Sequence, residues 1–546
     1  MGLIAAEGPV LAHLLRKVDV GSRTARTLCT TLLGLCEYPA VNSYAVTFPK
    51  AKPAKKRPAV SGSTPIQFVH ISDTHVDLEY EIGSNYNCTK PICCRSYTSD
   101  DAPGNTDYPA GQFGNPLCDP PKTLQQSMVA AIKSIVPNSA FTVFTGDVVA
   151  HDVWSVDKPE VLEDLSSTYD VLSSLNLVYP TMGNHDTAPV NCLPPSTIST
   201  TLNAQWAYNS LAGDWTQWIG TTAASTADNY GAYSVKHPGG NLRIISLNTV
   251  FYYTLNFWMY EEPMQTDPNG QFTWLVNELQ GAEDAGENVY IISHIPPGSS
   301  DYFHGASNIF NQIVNRYEAT IAAMFYGHTH LDEFEISYSD YNNRNAQNAV
   351  GMSYIAPSMT PTSGAPTFRV YSIDPVTYAI LDFTDYTTDI NATTLVWKKY
   401  YSAKETYGAL LTPPVTAATA ELSPAFWHNV TAVFEASDSA FQGYYARRSR
   451  GFQVKACDAA CKAEQICMVR AGESQYNCDQ FEIGFGISKR DEHRKHGHHR
   501  DECEGTKVKD VLKTVGDRKD EFVGFINAQV AALTNATAAN ATAAKL

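Results

Sequence analysis

Five short blocks of this 546-residue chain carry the residue types that hold metal ions. In order they are Asp73-Thr-His75, Gly146-Asp147, Gly183-Asn-His-Asp186, His294 and Gly327-His-Thr-His330. Each follows a run that reads as a strand: Ile66 to Ile71, Phe141 to Phe144, Leu177 to Tyr179, Val289 to Ile292 and Ile321 to Tyr326. Oxygen and imidazole donors suit zinc, iron or manganese, and open α/β sheets present their ligand sites at the carboxyl ends of strands. A carboxylate such as Asp147 has two oxygens with which to bridge two cations. Taken singly, each block reads as a polar turn or a buried structural histidine. Five of them, in order on five strand ends, read as one site.

The elements that must position these blocks are visible in the spacing. Gly146 lets the chain turn sharply before Asp147. Pro121 to Ile135 and Val161 to Leu175 have helical periodicity and connect the first three strands, as parallel pairing requires. Thr201 to Trp218 reads as a helix whose Trp206, Trp215 and Trp218 serve the core rather than an apolar substrate rim. Tyr230 to Val235 and Leu242 to Asn248 read as strands of a second sheet, with a helix from Phe272 to Gln280. Beyond Pro357, Phe368 to Asp374 and Tyr378 to Thr384 alternate like edge strands that close the domain. The alternation of sheet and helix predicts a two-sheet α/β sandwich.

The ordered set D-x-H, G-D, G-N-H-D, H and G-H-x-H resembles that of the calcineurin-like metallophosphoesterases, over roughly Gln67 to Leu331. Within that superfamily, Gly146-Asp-Val-Val-Ala-His-Asp-Val-Trp154 is similar to the acid sphingomyelinase branch, in which a histidine follows the aspartate by four residues. The resemblance implies an αββα metallophosphoesterase sandwich holding two Zn2+ ions with a hydroxide between them. One ion would take Asp73, His75, Asp147 and His330, the other Asp147, Asn184, His294 and His328. Neutral imidazoles and one Asn suit zinc better than magnesium, which prefers all-oxygen shells. His151 and His185 then remain for catalysis. One would protonate the leaving oxygen and the other stabilise phosphate charge, with His151 favoured as donor by its spacing from Asp147.

The activity implied is hydrolysis of sphingomyelin to ceramide and phosphocholine, with the phospholipid taken from a membrane or lipoprotein surface. Nucleotides or other soluble phosphoesters are the alternative substrates. Outside catalysis, the alternative is a lipid-binding protein with a decayed site. The sequence gives no sign of oligomeric state.

Composition narrows the setting. A net charge of −17 argues against a protein that coats nucleic acid. No segment approaches the roughly 20 consecutive apolar residues that cross a bilayer. Twelve cysteines and N-x-S/T sequons at Asn87, Asn391, Asn429, Asn535 and Asn540 point to a secreted protein or to a lysosomal or vacuolar lumen. Met1 to Leu15 lacks the charged start of a signal peptide. Arg26 to Cys36 resembles the last part of a saposin-like domain, whose earlier cysteines are absent here. Two readings follow: the true start lies upstream, or this is a short amphipathic helix with two free thiols.

The chain divides into a partial saposin-like segment (1–45), a Pro/Lys-rich linker (46–64), the catalytic domain (65–390), a helical C-terminal module (391–485) and a charged remainder (486–546). Lys55-Lys-Arg57 reads as solvated linker or as a processing site. By resemblance the pairs are Cys88 with Cys93, Cys94 with Cys118, Cys457 with Cys461 and Cys467 with Cys478. Cys29, Cys36, Cys192 and Cys503 are left unassigned. The His-rich stretch Lys489 to Glu504 reads as a solvated insertion rather than a metal site. The polar tail from Ala531 onward lacks the hydrophobic end of a lipid-anchor signal.

Overall fold

The sequence folds into two six-stranded sheets whose facing sides make one core. The structure, a computed structural model, describes residues 2–479 apart from Leu33, Leu35, Ser43 and Lys55. Cys503, the His-rich insertion and the polar tail lie outside the described residues.

The chain begins with two helices, α1 (Gly2–Leu15) and α2 (Arg23–Thr31). Ser22 caps α2 by accepting from the Ala25 N–H. Cys29 and Cys36 form a disulfide with each other, which corrects the reading of two free thiols. These helices pack against the segment Phe257–Tyr260 through Val10, Leu14 and Leu28. Thr31 Oγ1 lies 2.6 Å from the Tyr260 hydroxyl. The Pro/Lys-rich stretch then runs along the surface but is pinned: Arg57 donates to the Ala322 carbonyl, and Ser61 Oγ donates to Asp374 at 2.7 Å.

The first sheet uses β1 (Ile66–Ile71), β2 (Thr142–Phe144) and β3 (Val178–Pro180), all parallel. The second uses β4 (Tyr233–Lys236), β5 (Leu242–Ser246), β6 (Asn288–Ile292), β7 (Ile321–Tyr326), β8 (Glu333–Tyr338) and β9 (Ala349–Ile355), in the order β4-β5-β6-β7-β9-β8. The chain then returns to the first sheet with β10 (Thr367–Ile373), β11 (Ile380–Thr387) and β12 (Lys398–Ser402), giving β12-β11-β10-β1-β2-β3. Phe68 and Tyr371 from one sheet meet Tyr290 and Phe325 from the other, so aromatic rings fill the space between them. β10 and β11 are interior strands, not edges, and β12 is the outer one.

Parallel neighbours need helical crossovers. α3 (Lys122–Ile135) joins β1 to β2, and α4 (Lys158–Leu172) joins β2 to β3. Asp157 caps α4 through the Glu160 N–H, and Pro159 stands in its first turn. α5 (Gln205–Tyr230) is longer than its sequence signal and bends at Gly220, where φ is 76°. Its Trp215 is fully buried, and Trp206 and Trp218 pack half-buried against the core. α6 (Gln271–Ala285) and α7 (His304–Arg316) flank the second sheet. After a short helical turn, α8 (Ala403–Thr406), come the C-terminal helices: α9 (Pro424–Ala436) packs on β8 and β9, α10 (Asp438–Arg448) on α9, and α11 (Ala459–Val469) on β8 and α9.

The disulfides Cys88–Cys93, Cys94–Cys118, Cys457–Cys461 and Cys467–Cys478 are those expected. Cys192 is buried and forms no disulfide among the described residues. The sequons at Asn87, Asn391 and Asn429 are exposed. Among the described residues no helix is long and apolar enough to cross a membrane.

Candidate active site

The carboxyl ends of β1, β2 and β3 and those of β6 and β7 converge across the seam between the sheets. The first sheet brings Asp73, His75, Asp147, His151, Asn184 and His185, and the second brings His294, His328 and His330. The nine residues expected from the sequence thus gather in one place. Ligand-type atoms of Asp73, His75 and His330 form one close group, and those of Asp147, His294 and His328 another. Asp147 Oδ2 lies between the groups, 3.0 Å from His294 Nε2 and 3.6 Å from His75 Nε2.

The loops reach this arrangement through unusual backbone. Asp73, His75, Asp147, His328 and His330 have φ of 51°, 40°, 59°, 71° and 58°, the left-handed region that side chains disfavour. Two glycines of the motifs are needed for close approach. A Cβ on Gly183 would run into the Asp147 carboxylate, and one on Gly327 into Ser72 Oγ and the Asp73 carboxylate. Asp186, the last residue of its block, ties two loops together by accepting from the Val148 and Gly183 N–H groups, each at 2.8 Å.

His75, His294 and His328 are each aimed by their other nitrogen. His75 Nδ1 donates to the Val149 carbonyl and His294 Nδ1 to the Thr145 carbonyl, both at 2.7 Å. Both rings therefore turn Nε2 inward. The Nε2 atoms of His75 and His330 face each other at 3.1 Å. His328 Nε2 lies 3.1 Å from Asp301 Oδ2, which leaves Nδ1 toward the site, 3.1 Å from Asn184 Oδ1. The Asn184 amide is oriented in turn by donating to Asn191 Oδ1 at 2.9 Å. Such outer partners fix ring orientation and the basicity of a ligand.

Electrostatics agree with a cation site. Burial and the neighbouring imidazoles hold His75 well below its ordinary pKa, so its Nε2 lone pair is available. Burial pushes Asp73 up to about 6, partly offset by His294. Burial alone would lower His294, but Asp147 and Asp73 raise it above the ordinary value. His294 Nε2 is buried and makes no hydrogen bond among the described residues, although a carboxylate oxygen is 3.0 Å away. Buried carboxylates beside inward-turned imidazole nitrogens form a donor set that fits two divalent cations.

His151 stands beside these groups. Its ring stacks on His75 at 3.8 Å between centroids and meets His185 edge-on at 4.7 Å. Asp119 holds it twice, accepting from its backbone N–H at 2.6 Å and from Nδ1 at 2.8 Å. Asp119 also accepts from Thr360 Oγ1 at 3.2 Å. The His185 backbone N–H donates to Asp147 Oδ1 at 2.9 Å.

A family pattern described as calcineurin-like phosphoesterase matches residues 66–332. Sphingomyelin phosphodiesterase B of Dictyostelium discoideum is 33% identical over 474 residues, which covers 83% of this chain and 71% of that protein. The chain belongs to the sphingomyelin phosphodiesterase family. Sphingomyelin phosphodiesterase 1 of Caenorhabditis elegans is 31% identical over 442 residues, covering 79% of this chain and 75% of its own. The human protein named cyclic GMP-AMP phosphodiesterase SMPDL3A is 32% identical over 432 residues, covering 74% and 87%. This member of the sphingomyelin phosphodiesterase family is thus a phosphoric diester hydrolase with a His/Asp site suited to two metals.

Sequence reading missed Asp119, Asp301 and Asn191, the outer partners of His151, His328 and Asn184. Asp119 follows Cys118 in a loop, and Asp301 lies in a turn-rich stretch, so neither carries a spacing signal.

Proposed function

We propose that this family member hydrolyses sphingomyelin to ceramide and phosphocholine with two zinc ions, in a secreted or lumenal setting. The observation that carries the reading is the pair of donor groups with Asp147 Oδ2 between them, 3.0 Å from His294 Nε2 and 3.6 Å from His75 Nε2, and the Asp119-held His151 beside them. Similarity along most of the chain to proteins named sphingomyelin phosphodiesterases supports the substrate. The five disulfides among the described residues favour an oxidising compartment.

Asp73, His75, Asp147 and His330 would hold one ion and Asp147, Asn184, His294 and His328 the other. Bound there, two zinc ions would supply Lewis acidity toward the phosphoryl oxygens and lower the pKa of water. The side chains supply the rest. Water attack pushes charge onto the ester oxygen on the far side of phosphorus, and a lipid alkoxide is too basic to leave without a proton. His151 is built to give it. With Nδ1 committed to Asp119, the ring is oriented to present Nε2 to the leaving oxygen. His185, with its backbone fixed on Asp147, would stabilise charge on the phosphoryl oxygens.

Elemental analysis of purified protein is expected to find about two zinc ions per chain. Exhaustive chelation should abolish turnover, and added zinc should restore it. A stoichiometry of one, or activity that survives chelation, would remove the two-ion reading. The human cyclic GMP-AMP phosphodiesterase, matched over 87% of its length, supports a second reading in which the substrate is a nucleotide. Turnover of detergent-dispersed sphingomyelin is expected to exceed that of cyclic dinucleotides and nucleoside triphosphates. The reverse ranking would decide for the nucleotide.

A further inference from the structure

Between His75 and Asp119 the chain makes a long excursion that returns to its starting point. The Asp77 N–H donates to the Pro120 carbonyl at 2.9 Å, so both ends share one stem at the catalytic centre. One end follows His75, and the other closes with Asp119, which holds His151.

The loop is rigid for its size. Cys88–Cys93 and Cys94–Cys118 staple it. Cys93, Cys94, Ala110 and Cys118, with Tyr80 and Tyr86 packed on them, form a small core separate from the main one. Arg95, itself buried, pairs with Asp77 at 2.8 Å and with Asp152 at 2.9 Å, which ties the loop to the chain just beyond His151.

With this inner layer filled, four large side chains are left to solvent. Leu78, Ile82, Tyr108 and Leu117 are 37%, 56%, 45% and 42% exposed, and none belongs to either core. Single exposed apolar residues are ordinary. Four on one stapled loop, with its stem at the reacting centre, are a concentration that usually marks an interaction surface.

We propose that this loop seats the enzyme on a zwitterionic phospholipid surface, placing Leu78, Ile82, Tyr108 and Leu117 in the headgroup boundary. The proposal rests on the lipid-substrate reading of the site. Charge selects the kind of surface. The loop exposes Glu79, Glu81, Asp100 and Asp107 against Lys90, and the whole chain carries −17. An anionic leaflet would repel it, whereas zwitterionic headgroups would not. Tyr108 suits the boundary because its ring is apolar and its hydroxyl is wet. A stapled loop also loses little conformational freedom on docking.

The test is flotation with phosphatidylcholine–sphingomyelin vesicles, after enzymatic removal of N-glycans because Asn87 stands on the same loop. The wild-type protein should bind. The triple variant Leu78→Ser, Ile82→Ser, Leu117→Ser should partition about 10- to 100-fold more weakly. Its turnover of bis-nitrophenyl phosphate should be unchanged, which shows that the fold and the site are intact. Ile82→Trp should tighten binding severalfold, a gain that misfolding cannot mimic. Equal partitioning of wild type and triple variant would overturn the proposal, as would tighter wild-type binding when phosphatidylserine is added. A wild type that binds vesicles through the loop but leaves dispersed sphingomyelin intact would refute the substrate reading and support the docking surface.

Discussion

Asp147→Asn is expected to lower phosphodiester turnover by at least about three orders of magnitude and to deplete bound metal. Several kcal/mol of Lewis-acid stabilisation depend on the ions, and each 1.36 kcal/mol is tenfold in rate. Asp147 faces both donor groups, with Oδ2 near His294 and His75 and Oδ1 held by the His185 N–H. An amide keeps the shape but offers one oxygen and no charge to offset two cations. The substitution also isolates this effect, because Asn tolerates the left-handed φ of 59° at this position. Metal analysis and a thermal melt should accompany the kinetics. Unchanged metal content with normal turnover would end the bridging role.

His151→Ala is expected to separate two substrates. Removing a general acid costs about 10²- to 10⁴-fold when the leaving group is basic. The loss should therefore fall on the lipid phosphodiester and largely spare bis-nitrophenyl phosphate, whose phenolate departs with little protonation. Asp119→Asn should reproduce a smaller part of the same pattern, because the ring loses the carboxylate that orients Nδ1. Equal losses on both substrates would make His151 a phosphate-binding residue, and the same pair of assays on His185→Ala would then look for the donor.

The site was legible because its residues sit directly after strands, where a local pattern fixes both their type and their direction. The glycines were legible as turns only. That Gly183 and Gly327 make room for the carboxylates of Asp147 and Asp73 depends on loops brought together from distant parts of the chain. Asp119 and Asp301 were illegible for a related reason: they act from long loops on rings supplied by other segments.

The misreading of β10 and β11 as edges has a definite cause. Arg369 looks like a solvent-facing position in an alternating strand, yet it is fully buried. Arg369 reaches both carboxylate oxygens of Asp385 on the next strand, at 2.6 and 3.0 Å, and also Asp332. Charges that satisfy one another inside the fold mimic the pattern of a surface. At the N-terminus, likeness to a longer cysteine framework obscured the simpler local pairing of Cys29 with Cys36.

The seam between the sheets has a consequence for unfolding. The His328 N–H reaches the Asp73 carboxylate across 255 residues of sequence, and no single sheet owns a complete set of ligands. Ions bound there would act as a clamp between two halves that could otherwise part. Their affinity then becomes stability by mass action, about 2.7 kcal/mol when free metal exceeds its dissociation constant a hundredfold. The clamp closes only after both halves have folded and docked, so it opposes unfolding without hastening folding. In a compartment poor in metal, the protein would lose its persistence along with its chemistry.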